Sequence, residues 1–250
     1  LILQALALFI VLNITFIIAS LLIFVVIVYL TKGVNEKTLW KHKLLMTFGI
    51  YYFNSIYRVK PIIKGLENLP KDNNFTVFSN HIEYIDPFYL KQIYFNYPLG
   101  FIAKEVLFKY PVISTVIKSV GCIPIGKLAD RKSLETIIMG IKMVKEGQPM
   151  AIFPEGKRSY SNQPIEFKPG AFKLAQKAKA DISLVVLYDI QAVMRKVIRI
   201  KKTKIYMSVL PIIKYEDYKN LDTVQLSQKA YDMITNEIED YNRLRSEGKI

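Results

Sequence analysis

The stretch Phe75-Thr76-Val77-Phe78-Ser79-Asn80-His81-Ile82-Glu83-Tyr84-Ile85-Asp86-Pro87 decides how the chain is read. Phe75 to Phe78 is a short apolar run with strand character, and Phe88-Tyr89-Leu90 begins a helical pattern. Asp86 followed by Pro87 is a helix-start signal, with the carboxylate at the N-cap and proline in the first turn. A strand, a loop and a helix in that order predict an α/β protein. His81 then lies in the loop leaving the strand, where the sites of such folds gather. Residues five apart on a continuous helix point about 140° from each other. A folded-back loop has no such limit, so Asp86 can reach the His81 ring and fix its tautomer. An imidazole held this way is suited to taking a proton from a hydroxyl at neutral pH. The alternative for the same residues is a histidine in an ordinary capped loop.

Upstream, Leu1 to Leu30 carries no charged side chain and neither Gly nor Pro. As one helix it would run about 45 Å, against a hydrocarbon core of about 30 Å, which predicts a single membrane helix. A signal peptide is disfavoured by the length of the apolar run and the lack of a basic n-region. Lys32, Lys37, Lys41 and Lys43 follow, and the positive-inside rule puts this end, with the domain beyond it, on the cytoplasmic face of the membrane. Between Thr38 and Arg58 aromatic and basic residues mix, as in an amphipathic helix lying at headgroup level. The alternative is a second buried helix of the soluble domain. His42, between two lysines, reads as interfacial. The predicted division is therefore residues 1–58 for membrane-anchoring helices and 59–250 for an α/β domain.

Downstream, apolar runs at Pro61–Ile63, Phe75–Phe78, Gly100–Ala103, Cys122–Ile125, Met150–Phe153, Leu184–Leu187 and Ile205–Ile213 predict strands of a mixed sheet flanked by helices. Leu134, Ile137, Ile138, Ile141 and Val144 keep helical spacing up to Gly147. Further helices are predicted from Pro169 and after Asp222. The net charge of +14 calls for a polyanionic neighbour such as an anionic membrane surface, an acidic protein or nucleic acid. The RNA-binding aromatic signatures are missing, which counts against nucleic acid. A single cysteine excludes an internal disulfide, and with two histidines it makes a zinc site improbable. No Gly-x-Ser-x-Gly elbow, Walker loop or dinucleotide fingerprint appears.

A second block, Phe153-Pro154-Glu155-Gly156-Lys157-Arg158-Ser159, ends a predicted strand in a loop. Its Arg158 offers a planar guanidinium able to grip a phosphate monoester with two hydrogen bonds. A surface arginine paired with a carboxylate is the plainer reading of that residue. Together, Asn-His-x4-Asp-Pro and Phe-Pro-Glu-Gly-x-Arg-Ser resemble the glycerolipid acyltransferase family, and most of all its 1-acylglycerol-3-phosphate acyltransferases. The resemblance runs from about Val59 to about Tyr188.

That resemblance implies transfer of a fatty acyl group to the free hydroxyl of 1-acylglycerol 3-phosphate, giving phosphatidic acid. It implies His81 as general base and Asp86 as the group that orients it, with Glu155, Gly156 and Arg158 forming the acceptor phosphate site. Ala103-Lys104-Glu105-x-Leu107-Phe108 resembles a further family segment and adds Lys104 to the substrate-binding set. In Gly121-Cys122-Ile123-Pro124-Ile125-Gly126-Lys127 the chain has Gly-Lys where the family has Asp-Arg. Lys127 thus becomes a phosphate ligand, with Arg131 as a rival. Lys168 to Phe172 fits the family pattern as support for the loop after Arg158. The family's final Pro-x-x-Pro-Val block is replaced by Asp181-Ile182-Ser183-Leu184-Val185-Val186.

No nucleophile motif is evident, so direct attack by the lysolipid hydroxyl is simpler than an acyl-enzyme. The oxyanion donors are open, with backbone N–H groups near His81 or Glu155 as candidates. No bound cofactor is expected. The acyl donor is a thioester of acyl carrier protein or of coenzyme A, or an acyl phosphate. The basic run from Arg195 to Lys204 reads as a solvated strand face, or as a contact for lipid headgroups or an acidic acyl carrier protein. Another lysolipid or glycerol 3-phosphate is the near alternative acceptor. A membrane-tethered binding module without catalysis is the alternative from another class.

Overall fold

The computed structural model describes residues 2–56, 58–126, 131–195 and 201–250. The predicted phosphate ligand Lys127 lies outside them, as does the middle of the basic run from Arg195. The backbone of Arg131 is described, but its side chain is not.

The helices are α1 (Ile2–Leu30), α2 (Leu39–Ile50), α3 (Asp86–Ile93), α4 (Pro111–Ser119), α5 (Arg131–Lys145), α6 (Lys173–Ala178), α7 (Gln191–Met194), α8 (Tyr215–Tyr218) and α9 (Thr223–Ser246). The strands are β1 (Val59–Lys64), β2 (Phe75–Ser79), β3 (Gly100–Lys104), β4 (Ile123–Ile125), β5 (Met150–Ile152), β6 (Asp181–Tyr188) and β7 (Thr203–Val209). They form a seven-stranded sheet in the order β1-β7-β6-β2-β5-β3-β4. The run β6-β2-β5-β3-β4 is parallel, whereas β7 pairs antiparallel with β6 and parallel with β1. The sheet is therefore mixed, as its apolar runs predict.

The central strands feed two cores because side chains alternate across a pleated sheet. In β6, Ile182, Leu184, Val186 and Tyr188 face one layer with α5, α6 and α9, where Phe172 stacks on Phe78 at 4.3 Å. Val185 and Leu187 face the opposite layer with Val28, Leu45 and Tyr89 from α1, α2 and α3. α9 starts where Asp222 predicts, in a capping box completed by Gln225.

α1 is a single helix of 29 residues. Many of its described side chains, among them Leu12, Phe16, Leu22 and Val26, are exposed, while Val28 is buried against the domain. Among the described residues no helix is long and apolar enough to cross a membrane. The side chains at 2, 5, 6, 9, 10 and 13 of α1 are outside that description.

The predicted headgroup-level helix differs from α2. Apolar and basic residues are not segregated to opposite faces, and Lys41 and His42 are each 1% exposed. His42 is therefore an interior residue. Its Nδ1 meets Lys91 Nζ of α3 at 2.5 Å and its Nε2 meets the Glu36 carbonyl at 2.5 Å. Lys37 pairs with Glu146 at 2.8 Å, so two of the four lysines after α1 serve the domain itself. α2 then passes into a π-helical turn, Tyr51–Ile56, whose Tyr52 hydroxyl donates to the Ile17 carbonyl of α1 at 2.7 Å.

Candidate active site

Parallel strands send their C-terminal ends to one edge of the sheet, and ligand-binding loops collect there. β2 delivers Asn80 and His81 to that edge, and its neighbour β5 delivers Phe153 to Arg158. Lys104 closes β3 on the same edge, beside Ile125 of β4. Lys104 is exposed, and no contact between it and His81 is present.

The loop after β2 folds back on Asp86. The carboxylate Oδ2 accepts hydrogen bonds from His81 Nδ1 at 2.8 Å, Ile82 N–H at 2.5 Å and Glu83 N–H at 2.9 Å. Asp86 is the first residue of α3, so Ile85, and not Asp86, holds the N-cap position. The carboxylate caps the preceding loop instead of the helix. Its donors all converge on Oδ2, and Oδ1 is buried without a partner among the described residues. Complete burial pushes the Asp86 carboxyl up, while the His81 hydrogen bond and the two amides pull it down. With Nδ1–H donated to the carboxylate, Nε2 carries the lone pair and has no partner among the described residues. The ring lies flat on Phe153, centroids 4.0 Å apart, which fixes its plane.

The second loop is stitched to the first. Glu155 Oε1 accepts the His81 N–H at 2.7 Å, and Oε2 accepts the Ile165 N–H at 3.1 Å. The Ser159 N–H donates to the His81 carbonyl at 2.8 Å, and the Tyr160 N–H to the Ile82 carbonyl at 3.2 Å. Glu155 is 1% exposed, and burial pushes its carboxyl up to about 7, against the pull of the two amides. Both of its oxygens are thus engaged in holding backbone. Gly156 closes the turn at a φ of +70°, where an L side chain is strained, with its N–H on the Phe153 carbonyl at 3.1 Å. The Lys168 N–H donates to the Pro154 carbonyl at 2.9 Å, tying this segment to the residues before Arg158. A cavity of about 520 Å³ opens beside this turn, lined by Glu155, Gly156, Lys157, Ile165, Phe167 and Lys168 among others.

Arg158 projects from the stitched loop into an aromatic bracket. Its guanidinium carbon sits 3.3 Å from the Tyr84 ring centroid and 5.2 Å from that of Tyr160. Tyr160 itself adopts a φ of +56°, uncommon for a bulky residue. No carboxylate pairs with Arg158 among the described residues, so its N–H donors are left without an acidic partner there. Of the backbone amides considered for an oxyanion, those of His81, Ile82, Glu83 and Gly156 are engaged. Those of Lys157 and Arg158 have no partner among the described residues.

Three contributors escaped the sequence reading. Asn80 pairs with both backbone groups of Leu187, at 2.9 and 2.8 Å, extending the β2–β6 ladder past its last strand residue. Its presence in the Asn-His pair was the available signal. Tyr84 and Tyr160 gave none beyond being aromatic. Among the described residues, no group of three or more His, Cys, Asp or Glu side chains is placed to hold a metal ion.

The comparisons with known proteins bear on the family and the fold. A family model described as acyltransferase matches residues 60–188, which contain both stitched loops, and the chain belongs to that family. The 1-acyl-sn-glycerol-3-phosphate acyltransferase of Borreliella burgdorferi is 31% identical over 73% of this chain and 70% of its own length. A chloroplastic enzyme of the same description from Brassica napus is 32% identical over 58% of this chain and 40% of its own length. The crystal structure of the 1-acyl-sn-glycerophosphate (LPA) acyltransferase PlsC from Thermotoga maritima superposes with a TM-score of 0.66, at 21% identity. It covers 86% of this chain and 87% of that one, a likeness of fold.

Proposed function

We propose that the protein transfers a fatty acyl group from a thioester donor to the free hydroxyl of 1-acylglycerol 3-phosphate, giving phosphatidic acid and a free thiol. The observation that carries this reading is the His81–Asp86 pair at 2.8 Å with Nε2 open, beside an unpaired Arg158. His81 Nε2 takes the hydroxyl proton as the oxygen attacks the thioester carbonyl. The Asp86 carboxylate supports the imidazolium. The oxyanion collapses, the carbon–sulfur bond breaks, and the imidazolium returns its proton to the leaving thiolate. Arg158 grips the acceptor phosphate through its N–H donors, and Lys104 and Lys127 add positive charge to the same substrate. Glu155 and Gly156 serve the phosphate site by fixing the loop that bears Arg158.

In this reading α1, 29 residues with no charged side chain in the full sequence, anchors the protein in a membrane whose cytoplasmic leaflet supplies the acceptor. The donor is carried by acyl carrier protein or coenzyme A. The test is purified protein in detergent, offered a panel of lysolipids with each donor, with products read by mass spectrometry. His81→Ala should lower turnover by about 10² to 10⁴ with the fold kept, and Asp86→Asn should lose much of it through the wrong tautomer. A folded His81→Ala protein with near-normal turnover would refute the base. A dephosphorylated acceptor used as well as lysophosphatidate would refute the phosphate site.

A further inference from the structure

A second basic cavity lies away from the loops just described, between the turn joining α1 to α2 and the last turns of α4. It measures about 250 Å³ and is lined by Lys32, Val34, Glu36, Lys41, Ser114, Thr115, Lys118 and Ser119. Lys41 stands in the first turn of α2, where the helix dipole opposes a positive charge. It is 1% exposed, its ammonium is held by the Val34 carbonyl at 2.8 Å, and burial pulls its pKa down. A buried ammonium normally meets a counter-charge. No carboxylate lies within ion-pair distance of it among the described residues; the nearest compensation is the charge of Glu36 on the same cavity, which raises its pKa against the burial. Ser114 is 7% exposed, and its hydroxyl has no hydrogen-bond partner among the described residues. Lys32 on the turn and Lys118 on α4 stand exposed at the cavity, with no ion-pair or hydrogen-bond partner among the described residues. Glu36 is the single acidic residue among the described lining residues, against three lysines.

We propose that this cavity binds a phosphate group, carried by the headgroup of an anionic phospholipid that is neither acyl donor nor acceptor. Three lysines and a free hydroxyl are the donors a phosphate oxygen requires, and an anion here also compensates the buried Lys41 charge. The lipid source rests on reading α1 as the membrane anchor. Lys32 lies two residues beyond the end of α1. The α4 residues that open the helix, Val112 and Ile113, are exposed apolar side chains next to exposed Tyr110, as in an element dipping into the interface. The cavity thus sits where a bilayer presents its phosphates.

The test uses the full chain in nonionic detergent, titrated with short-chain phosphatidylglycerol, short-chain phosphatidylcholine and inorganic phosphate. Lys32→Gln/Lys118→Gln replaces two exposed residues and leaves packing intact. Phosphatidylglycerol binding should weaken about thirtyfold in that variant, the loss expected for two lysines at an anionic surface. It should be unchanged in Arg158→Ala, which separates this cavity from the acceptor site. Phosphatidylcholine should bind far more weakly than phosphatidylglycerol. Binding lost in Arg158→Ala but kept in the lysine variant would overturn the proposal. Inorganic phosphate binding as tightly as phosphatidylglycerol would overturn the assignment to lipid.

Discussion

A guanidinium stacked against phenol rings keeps its charge and its donors but loses its freedom to swing. Arg158 is in that state over Tyr84, so the affinity it supplies depends on the bracket as well as on the charge. Arg158→Ala should raise the KM for lysophosphatidate with kcat little changed, because the phosphate is gripped equally in ground and transition states. Tyr84→Leu should raise the same KM about two- to tenfold, the cost of re-immobilising one long side chain, and Tyr84→Phe should not. Steady-state kinetics against lysophosphatidate and its dephosphorylated analogue decide this. A fall in kcat for Tyr84→Leu with KM unchanged would mean the ring serves the chemistry instead. His81, Asp86 and Arg158 could be singled out in the sequence because their side-chain types suit proton transfer and phosphate binding. The residues alone left a capped loop and a surface ion pair open, and the family resemblance is what implied their roles. The bracing role of Glu155 was not legible, since an acidic residue in a loop gives no hint that two backbone amides will consume it.

At the scale of elements, α3 carries Asp86 at its start and Lys91 about one and a half turns later, so whatever seats Lys91 also seats the His81 loop. Lys91 Nζ donates to the Leu99 carbonyl at 2.6 Å and to His42 Nδ1, joining α3 to α2. Burial pulls the Lys91 pKa from 10.5 to about 7, and burial together with the Lys91 charge pulls His42 down to about 3. Between about 7 and 10.5 the folded chain therefore binds fewer protons at Lys91 than the unfolded chain. Stability from this residue rises with pH across that window and is lost as pH falls through 7. Melting curves of the wild type and Lys91→Met from pH 7 to 10 should diverge, the wild type gaining relative to the variant. Parallel curves would show that the lysine is not buried as an amine. Sequence could not foresee this joint. Trp40, Lys41, His42 and Lys43 look alike as interfacial residues until α3 covers His42 and the α1–α2 turn with α4 encloses Lys41.

For the molecule as a whole, α1 both exposes apolar residues along its length and seats Phe24, Ile27 and Val28 against the domain core. Removing residues 1–20 should leave that seat intact while removing most of the exposed run. Transfer measured on vesicles should then fall sharply, and transfer to a short-chain, water-soluble acceptor much less. Equal losses in a folded truncated protein would mean that α1 shapes the active site. Seven apolar runs in the sequence are seven strands here because each is short and bounded by turn residues, the central ones burying both faces. Their order was not legible. Nothing in Met150-Ala151-Ile152 marks it as the neighbour of Phe75 to Phe78 across more than seventy residues.

That neighbourhood sets a timetable for folding. β5 occupies the slot between β2 and β3, yet the ribosome delivers it only after α4, β4 and α5. Until it slots in, β2 and β3 cannot adopt their final spacing, and the His81 loop has neither Phe153 beneath its ring nor Glu155 on its amide. Long-range pairing of this kind is slow, because loop closure precedes the contacts that reward it. Enzymatic competence should thus be the last property a refolding chain acquires. After dilution from denaturant, the helical circular dichroism signal should recover well before acyl transfer does. Simultaneous recovery would mean that β5 finds its slot as early as the helices form.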